Sequence, residues 1–339
     1  MRLGLVGFGF GGQKFHLPYI QAATEWDLVG VVTRSHTRRA ELASAAPGVP
    51  AFDDLDALID AGVDVVVLTT PPDTRRALVL RALERGVHVV ADKPFAPDAA
   101  TARELVSAAE RSGRILTVFH NRRLDTDIVT AQRVLADGLL GTPWRAVNRF
   151  DLDDPDTLEV GPAHGLLRDL GSHVVDQMTH LFGPVARVDA HLDWVERDGQ
   201  RVDAGFMIGM HHRSGVHSTV SSSKLNRLQE HELIVYGSGG SYTSQMSDVQ
   251  TIATLSGRHP LTDPEWGIEA EERWGTLHTL DGARRVPSAK GDYADYYRAL
   301  HASIAYGEPL LVTPEQAVHT VEVLDAARRS ALEGRAVEL

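Results

Sequence analysis

Three features of the chain predict an α/β protein with an N-terminal doubly wound parallel sheet and a C-terminal α/β domain built on a large, open, mainly antiparallel sheet. Up to about residue 120, short runs of consecutive apolar residues alternate with helical patterns. A glycine-rich turn, Gly7-Phe8-Gly9-Phe10-Gly11-Gly12, follows the first of these runs without a gap. Beyond residue 120 the strand-like runs are longer, partly alternating, and consecutive. Continuously apolar strands are those covered by helices on both faces, and strand–helix alternation makes parallel pairs. Consecutive alternating strands make antiparallel sheets with one face left for solvent or another subunit. The expected domains are residues 1–120 and 121–339, with the late helices packing back on the first domain.

Taken in order, the first domain has strand candidates at Leu3–Val6, Leu28–Val32, Val65–Leu68, Val87–Val90 and Ile115–Phe119, and helical stretches at Arg39–Ala45, Thr74–Arg85 and Ala99–Arg111. In the second, a strand around Trp144–Asp151 precedes a helix from about Leu166 to Leu181. The runs Ala186–Trp194, Ala204–His211, Gly215–Ser223 and Leu233–Tyr236 follow as consecutive strands. Residues 246–290 are polar and rich in Gly, Pro and Asp, and their pattern assigns no element. Thr313-Pro314-Glu315-Gln316 starts a last helix, with a capping Thr, Pro at the first helical position and Gln three residues after the cap. Val318, Val321, Leu324 and Ala327 then recur at helical spacing.

The glycine run fits G-x-G-x-x-G at Gly7, Gly9 and Gly12, flanked by Phe8 and Phe10. The first glycine permits the tight turn, the second lets the backbone approach a pyrophosphate, and the third lets helix and strand pack closely. The following helix offers unpaired N–H groups and a positive dipole end. Directly after a strand and before a helical stretch, this predicts a Rossmann dinucleotide-binding domain. An acidic residue some 20 positions on would bind a ribose 2′-hydroxyl and repel a 2′-phosphate. Here the second strand runs into Thr33, Arg34 and Ser35, with Arg38 and Arg39 close behind and no acid at its tip. Hydroxyls beside a guanidinium suit a phosphate, so NADP is expected over NAD. The bland alternative is a solvated helix start.

Two further motifs carry chemistry. Asp92-Lys93-Pro94 lies past the fourth of these runs, at the carboxyl end where open α/β sheets bind ligands. Pro94 turns Lys93 away from helical conformation, and a lysine there could stabilise negative charge developing on a substrate oxygen. In Asp169-Leu170-Gly171-Ser172-His173, helical spacing puts Asp169 and His173 on one face, continued by Asp176 and His180. Histidine is the usual proton acceptor from an alcohol. A structural histidine, a solvated helix face and a metal site at Asp169, His173, Asp176 and His180 compete with that reading. No metal is expected, because no recognised ligand spacing is present.

The bulk properties narrow the classes. The 339 residues suffice for two full cores. A net charge of −12 disfavours nucleic acid and anionic membrane surfaces as partners. The chain has no cysteine, hence no disulfide, thiol nucleophile or thiolate metal site. Met1-Arg2-Leu3 runs straight into the first strand, which leaves no room for a signal peptide's apolar core, so a cytoplasmic location is expected.

Jointly, the glycine run, Asp92-Lys93-Pro94 and Asp169–His173 resemble the glucose–fructose oxidoreductase / inositol dehydrogenase (Gfo/Idh/MocA) family over nearly the whole chain. Phe119-His120-Asn121-Arg122-Arg123 resembles the branch that includes NADP-dependent scyllo-inositol dehydrogenases. The resemblance implies that Lys93, Asp169 and His173 line the site; Asp176, on the same helical face, is expected to share in substrate binding. It also implies that Thr70, Pro71 and Pro72 border the cofactor, with Asn121 and Arg122 near the nicotinamide. Asp92 stands where the family more often has Glu, and Gly161-Pro162-Ala163-His164-Gly165 replaces a more glycine-rich lead into the helix. The implied activity is hydride transfer between a nicotinamide and a secondary alcohol of a sugar, cyclitol or polyol. A homodimer or homotetramer through the C-terminal sheet is implied as well. Two alternatives remain at this stage: a non-catalytic NADP(H)-binding regulator, and a reductase of dihydrodiols or linear tetrapyrroles.

Overall fold

The computed structural model describes residues 1–161 and 164–339, so Pro162 and Ala163 of the divergent lead-in lie outside the described residues. The chain divides into two compact units. The first comprises Met1–Asn121, Thr251–Trp266 and Asp292–Val318, and the second Arg122–Gln250, Gly267–Gly291 and His319–Leu339.

In the first unit, strands β1 (Arg2–Val6), β2 (Asp27–Val32), β3 (Ala51–Phe52), β4 (Val65–Leu68), β5 (His88–Ala91) and β6 (Leu116–Val118) form one sheet in the order β3-β2-β1-β4-β5-β6. All its pairs are parallel. The buried residues of β1, β4 and β5 explain why these segments read as unbroken apolar runs. The strand order reverses between β1 and β4, which puts the crevice at their carboxyl ends. The helix after β2 begins at His36, earlier than its apolar pattern, because the Ser35 hydroxyl caps it by accepting from the Arg38 N–H at 3.3 Å. Strand β3 and the helix Leu55–Asp60 were too short to announce themselves by periodicity. The helix Ala294–Tyr306, not expected from the sequence pattern, also belongs to this unit. Its Tyr296 and Tyr297 are buried against Phe119, with ring centroids 4.8 and 5.6 Å away.

The second unit is built on β7 (Pro143–Asp151), β8 (Val185–Arg197), β9 (Gln200–His212), β10 (His217–Ser223), β11 (Glu230–Gly237), β12 (Gly240–Ser244), β13 (Thr276–Thr279), β14 (Gly282–Arg285) and β15 (Val337–Glu338). Their order is β14-β13-β12-β11-β7-β10-β9-β8-β15. β7 and β10 pair in parallel and the remaining neighbours are antiparallel. Asp198 and Gly199, both at positive φ (50° and 71°), make the tight turn between β8 and β9. One face of the sheet is covered by the helix Gly171–Phe182 and by Leu324 and Ala327 of the helix Pro314–Glu333. Val188, Phe206, Ile208, Met210 and Val220 meet Val174, Val175 and Met178 there. The capping box of that last helix forms as the motif predicts: Gln316 N donates to Thr313 Oγ1 at 3.3 Å and Thr313 N to Gln316 Oε1 at 3.2 Å. Residues 246–290 hold the helix Val249–Leu255, the short helix Glu271–Arg273, β13 and β14. Among the described residues no helix is long and apolar enough to cross a membrane.

Candidate active site

The glycine turn is shaped as pyrophosphate binding requires. Gly7 sits at φ +102°, and a Cβ there would lie 2.7 Å from Thr69 Oγ1. A Cβ on Gly12 would lie 2.5 Å from the Gly7 carbonyl oxygen, so the turn and the following helix can close only around glycine. A Cβ on Gly9 would meet nothing within 4 Å, which leaves this backbone open for a ligand. The following stretch is not a plain α-helix: a five-residue π turn, Gly12–His16, precedes the α-helix Leu17–Ala22. Single π turns inside helices are frequent at functional sites.

At the tip of β2, Thr33 is buried and Arg34 is exposed. Arg38 is committed to Glu41 at 2.8 Å, and Arg39 to the Asp53 carboxylate and the Thr33 carbonyl. Glu41 also accepts from Gln13 Nε2 at 2.6 Å. Among the described residues Arg34 is therefore the guanidinium at this tip that other side chains do not claim.

After β4, Thr69 Oγ1 donates to the Gly7 carbonyl at 2.9 Å, tying this turn to the glycine turn. Thr70 and Pro71 lead into the helix Pro72–Glu84, which has Pro72 at its first position. Arg75 of that helix is buried and spends its guanidinium on main chain. Its Nη2 donates to the Thr70 carbonyl at 2.8 Å, and its Nη1 to the carbonyls of Asp92 (2.6 Å) and Pro94. Burial lowers its pKa to about 10, against the opposing pull of Asp92. Arg75 thus clips the turn after β4 to the turn that carries Lys93, a role that periodicity gave no hint of.

In the second unit, the predicted helix is interrupted. It runs as Leu166–Asp169 and Gly171–Phe182, with Leu170 between them at φ −80°, ψ −31°. A Cβ on Gly171 would come within 3.2 Å of Leu324 and 3.3 Å of Leu167, so the junction is closely packed. The carboxylate of Asp203 accepts from Leu167 N at 2.6 Å and from Arg328 at 2.7 Å, anchoring the first turn. Asp169, about 42% exposed, accepts from the buried Lys224 Nζ at 3.0 Å, and that ammonium also reaches the Thr157 carbonyl at 3.1 Å. His173 follows one turn later and is buried. Asp176 is buried and bidentate to Arg123, at 2.8 and 2.7 Å. Burial, then Arg123, pushes His180 down to about 4, which keeps it neutral at physiological pH. Asn121 ends the first unit and is buried. Arg122 opens the second and is held by Asp125 at 3.0 Å and Asp248 at 2.9 Å. Lys224 and Arg123 were missed as partners of Asp169 and Asp176 because they stand 55 and 53 residues away in sequence.

Residues 1–120 match the family model described as an oxidoreductase family, NAD-binding Rossmann fold, and residues 157–339 match its C-terminal alpha/beta domain. The chain belongs to the Gfo/Idh/MocA oxidoreductase family. It is accordingly an NAD(P)-dependent oxidoreductase. Family members similar to it include scyllo-inositol 2-dehydrogenase (NADP(+)) IolW of Bacillus subtilis, 29% identical over all of this chain and 96% of the relative. The uncharacterised oxidoreductase YdgJ of Escherichia coli is 31% identical over 98% of this chain and 96% of its own length. The solved structure of the oxidoreductase YvaA of Bacillus subtilis superposes with a TM-score of 0.91 at 28% identity, covering 100% of both chains.

Proposed function

We propose that the chain is an NADP-dependent dehydrogenase that moves a hydride between the nicotinamide and a secondary alcohol or ketone of a cyclitol, sugar or other polyol. The observation that carries this reading is the combination, within one family member, of an open glycine turn, Lys93 held at a strand tip, and Asp169 and His173 on successive helical turns. His173 takes the hydroxyl proton as the carbinol C–H bond breaks, and returns it in the reductive direction. Lys93 stabilises the oxygen while it carries negative charge. Asp169 holds a neighbouring hydroxyl or the imidazole. When bound, the nicotinamide supplies the hydride acceptor. Asp176, engaged with Arg123, serves substrate binding by fixing the helix that presents His173.

Preference for NADP is supported by the exposed Arg34 at the tip of β2, by the absence of an acid there, and by the name of the IolW relative. Gly7, Phe8, Gly9, Phe10 and Gly12 would cradle the pyrophosphate, Thr33, Arg34, Ser35 and Arg38 the adenosine ribose end, and Thr70, Pro71, Pro72, Asn121 and Arg122 the remainder. The outer sheet face supports self-association: Asp189, Gly209, Thr219, Val147, Ile234 and Thr243 form one row across it, and Met207 is 56% exposed nearby. A homodimer or homotetramer is the expected state, read by light scattering.

The deciding experiment is a fluorescence titration with NADPH and NADH, followed by a cofactor-reduction screen of cyclitols and sugars. NADPH should bind the tighter, and Arg34→Ala should remove roughly tenfold of that preference. Equal loss of both cofactors in Arg34→Ala would remove Arg34 from phosphate recognition. Tight NADPH binding with no polyol turned over would replace the enzyme by a sensor.

A further inference from the structure

The π turn that follows the glycine run ends on His16, a fully buried histidine that no step of the proposed reaction uses. Its ring is clamped on three sides. Nδ1 lies 2.6 Å from the Tyr297 hydroxyl, and the Phe119 ring is 4.3 Å away between centroids. Nε2 faces Asp92 Oδ2 at 3.5 Å. The other oxygen of that carboxylate, Oδ1, accepts from the backbone N–H of Lys93 at 2.7 Å. Asp92 also lies against the glycine run, since a Cβ on Gly11 would stand 3.4 Å from Oδ2. An unbroken chain of contacts therefore runs from Tyr297 through His16 and Asp92 to the main chain of Lys93, all within the first unit.

We infer that His16 is a positioning residue for Lys93, acting through the Asp92 carboxylate. The inference deepens the proposed function and rests on its reading of Lys93. The chemistry is one of orientation. The two oxygens of an aspartate carboxylate belong to one planar group, so holding one aims the other. Tyr297, whose hydroxyl is kept protonated by burial, pairs with Nδ1 at 2.6 Å and leaves Nε2 facing Oδ2 at 3.5 Å, a contact that orients the carboxylate electrostatically. With Oδ2 fixed, Oδ1 is aimed at the Lys93 amide, while Arg75 holds the carbonyls on either side of it. The lysine backbone is thus fixed at its N–H by the His16 chain and at its flanking carbonyls by Arg75.

The test compares His16→Leu, His16→Gln and Tyr297→Phe by amide hydrogen exchange and by turnover. Exchange is read by mass spectrometry on residues 89–95, with β2 as internal control. Turnover is read with NADP+ and scyllo-inositol, or the best polyol of the screen. In His16→Leu, exchange of residues 89–95 should rise about tenfold while β2 is unchanged. kcat should fall about tenfold with little change in NADPH affinity. His16→Gln, which retains an N–H donor, should recover most of both. Unchanged exchange and kcat in a folded His16→Leu would overturn the inference. Should that variant fail to fold, Tyr297→Phe is expected to show a roughly threefold effect of the same kind, and no effect there would overturn it equally. Lys93→Met separates the two levels. If His16→Leu slows the native enzyme but not Lys93→Met, His16 acts through Lys93; if it slows both alike, it does not. If Lys93→Met turns over normally while His16→Leu still loosens residues 89–95, the role given to Lys93 falls and the hydrogen-bonded frame stands.

Discussion

The turn that carries Lys93 and the helix that carries Asp169 and His173 are held in opposite ways. The lysine turn is fixed through its main chain: Arg75 binds the carbonyls of Asp92 and Pro94, and Asp92 binds the Lys93 amide. The helical segments are fixed through side chains: Lys224 on Asp169 and Arg123 on Asp176. The first arrangement restrains the backbone from which the lysine side chain springs. The second sets the carboxylates directly, so charge and position are coupled. On the proposed reading, a group that stabilises charge on a substrate oxygen needs a rigid root, whereas groups that exchange protons or select hydroxyls need their electrostatic surroundings specified.

This contrast can be broken most sharply at His173. His173→Ala should lower turnover by about 10²–10⁴-fold with cofactor affinity nearly unchanged, as read by steady-state kinetics alongside NADPH titration. Equal turnover would remove His173 from the mechanism. Next in size is Arg75→Leu. Losing one buried guanidinium strips the donors from the Thr70, Asp92 and Pro94 carbonyls and should cost about 3–5 kcal/mol in denaturant unfolding. A cost below about 1 kcal/mol would show that the main-chain clip is not structural. Lys224→Met should do the reverse: stability within about 1 kcal/mol, because Asp169 remains partly solvated, but kcat/KM reduced about tenfold. If stability falls and activity does not, the side-chain mode of restraint is only scaffolding.

The smallest effect concerns two carboxylates with opposite shifts. Burial opposes the charge of Asp92, but His16, Arg75 and Lys93 more than offset it and hold the carboxyl below the usual range. In the second unit, burial raises Asp127 well above that range, with Asp125 and Glu269 adding to it against the Ile128 amide and Arg122. A raised carboxyl stabilises the fold while protonated, and that contribution is lost as pH rises through its folded value. Asp127→Asn should therefore raise the melting temperature at pH 8 and leave it unchanged near pH 4. A uniform shift at both pH values would contradict the assignment.

Much of this architecture could be read before any coordinates. Val65–Leu68 is a strand with the bounds its apolar run indicated, because burial on both faces leaves no other composition workable. Thr313 and Gln316 form the cap their spacing specifies, because a capping box is local chemistry. Lys93 and the Asp169–His173 pair stood out as motifs. What stayed hidden was whatever depends on distant residues. Nothing near Arg75 says that its guanidinium binds main chain some 17 residues away, and His16 meets Tyr297 across 281 residues. At the junction after Leu170, a Cβ on Gly171 would meet Leu324, a neighbour that no window of the sequence contains. Asp198-Gly199 is different: the dipeptide is itself a hairpin signal and needs no distant residue to form its turn.

The first unit is assembled from three separate stretches of chain. Thr117 Oγ1 donates to the Val312 carbonyl at 2.8 Å and receives the Tyr296 hydroxyl at 3.2 Å, while Trp26 Nε1 donates to the Tyr297 carbonyl at 2.9 Å. A cofactor module excised at residue 121 would lose these tyrosines and lay bare Phe119 and Tyr19. On the proposed reading of Thr33–Ser35, transplanting nucleotide specificity between family members becomes a matter of exchanging such loops on a resident scaffold, since the Rossmann unit is not a portable cassette.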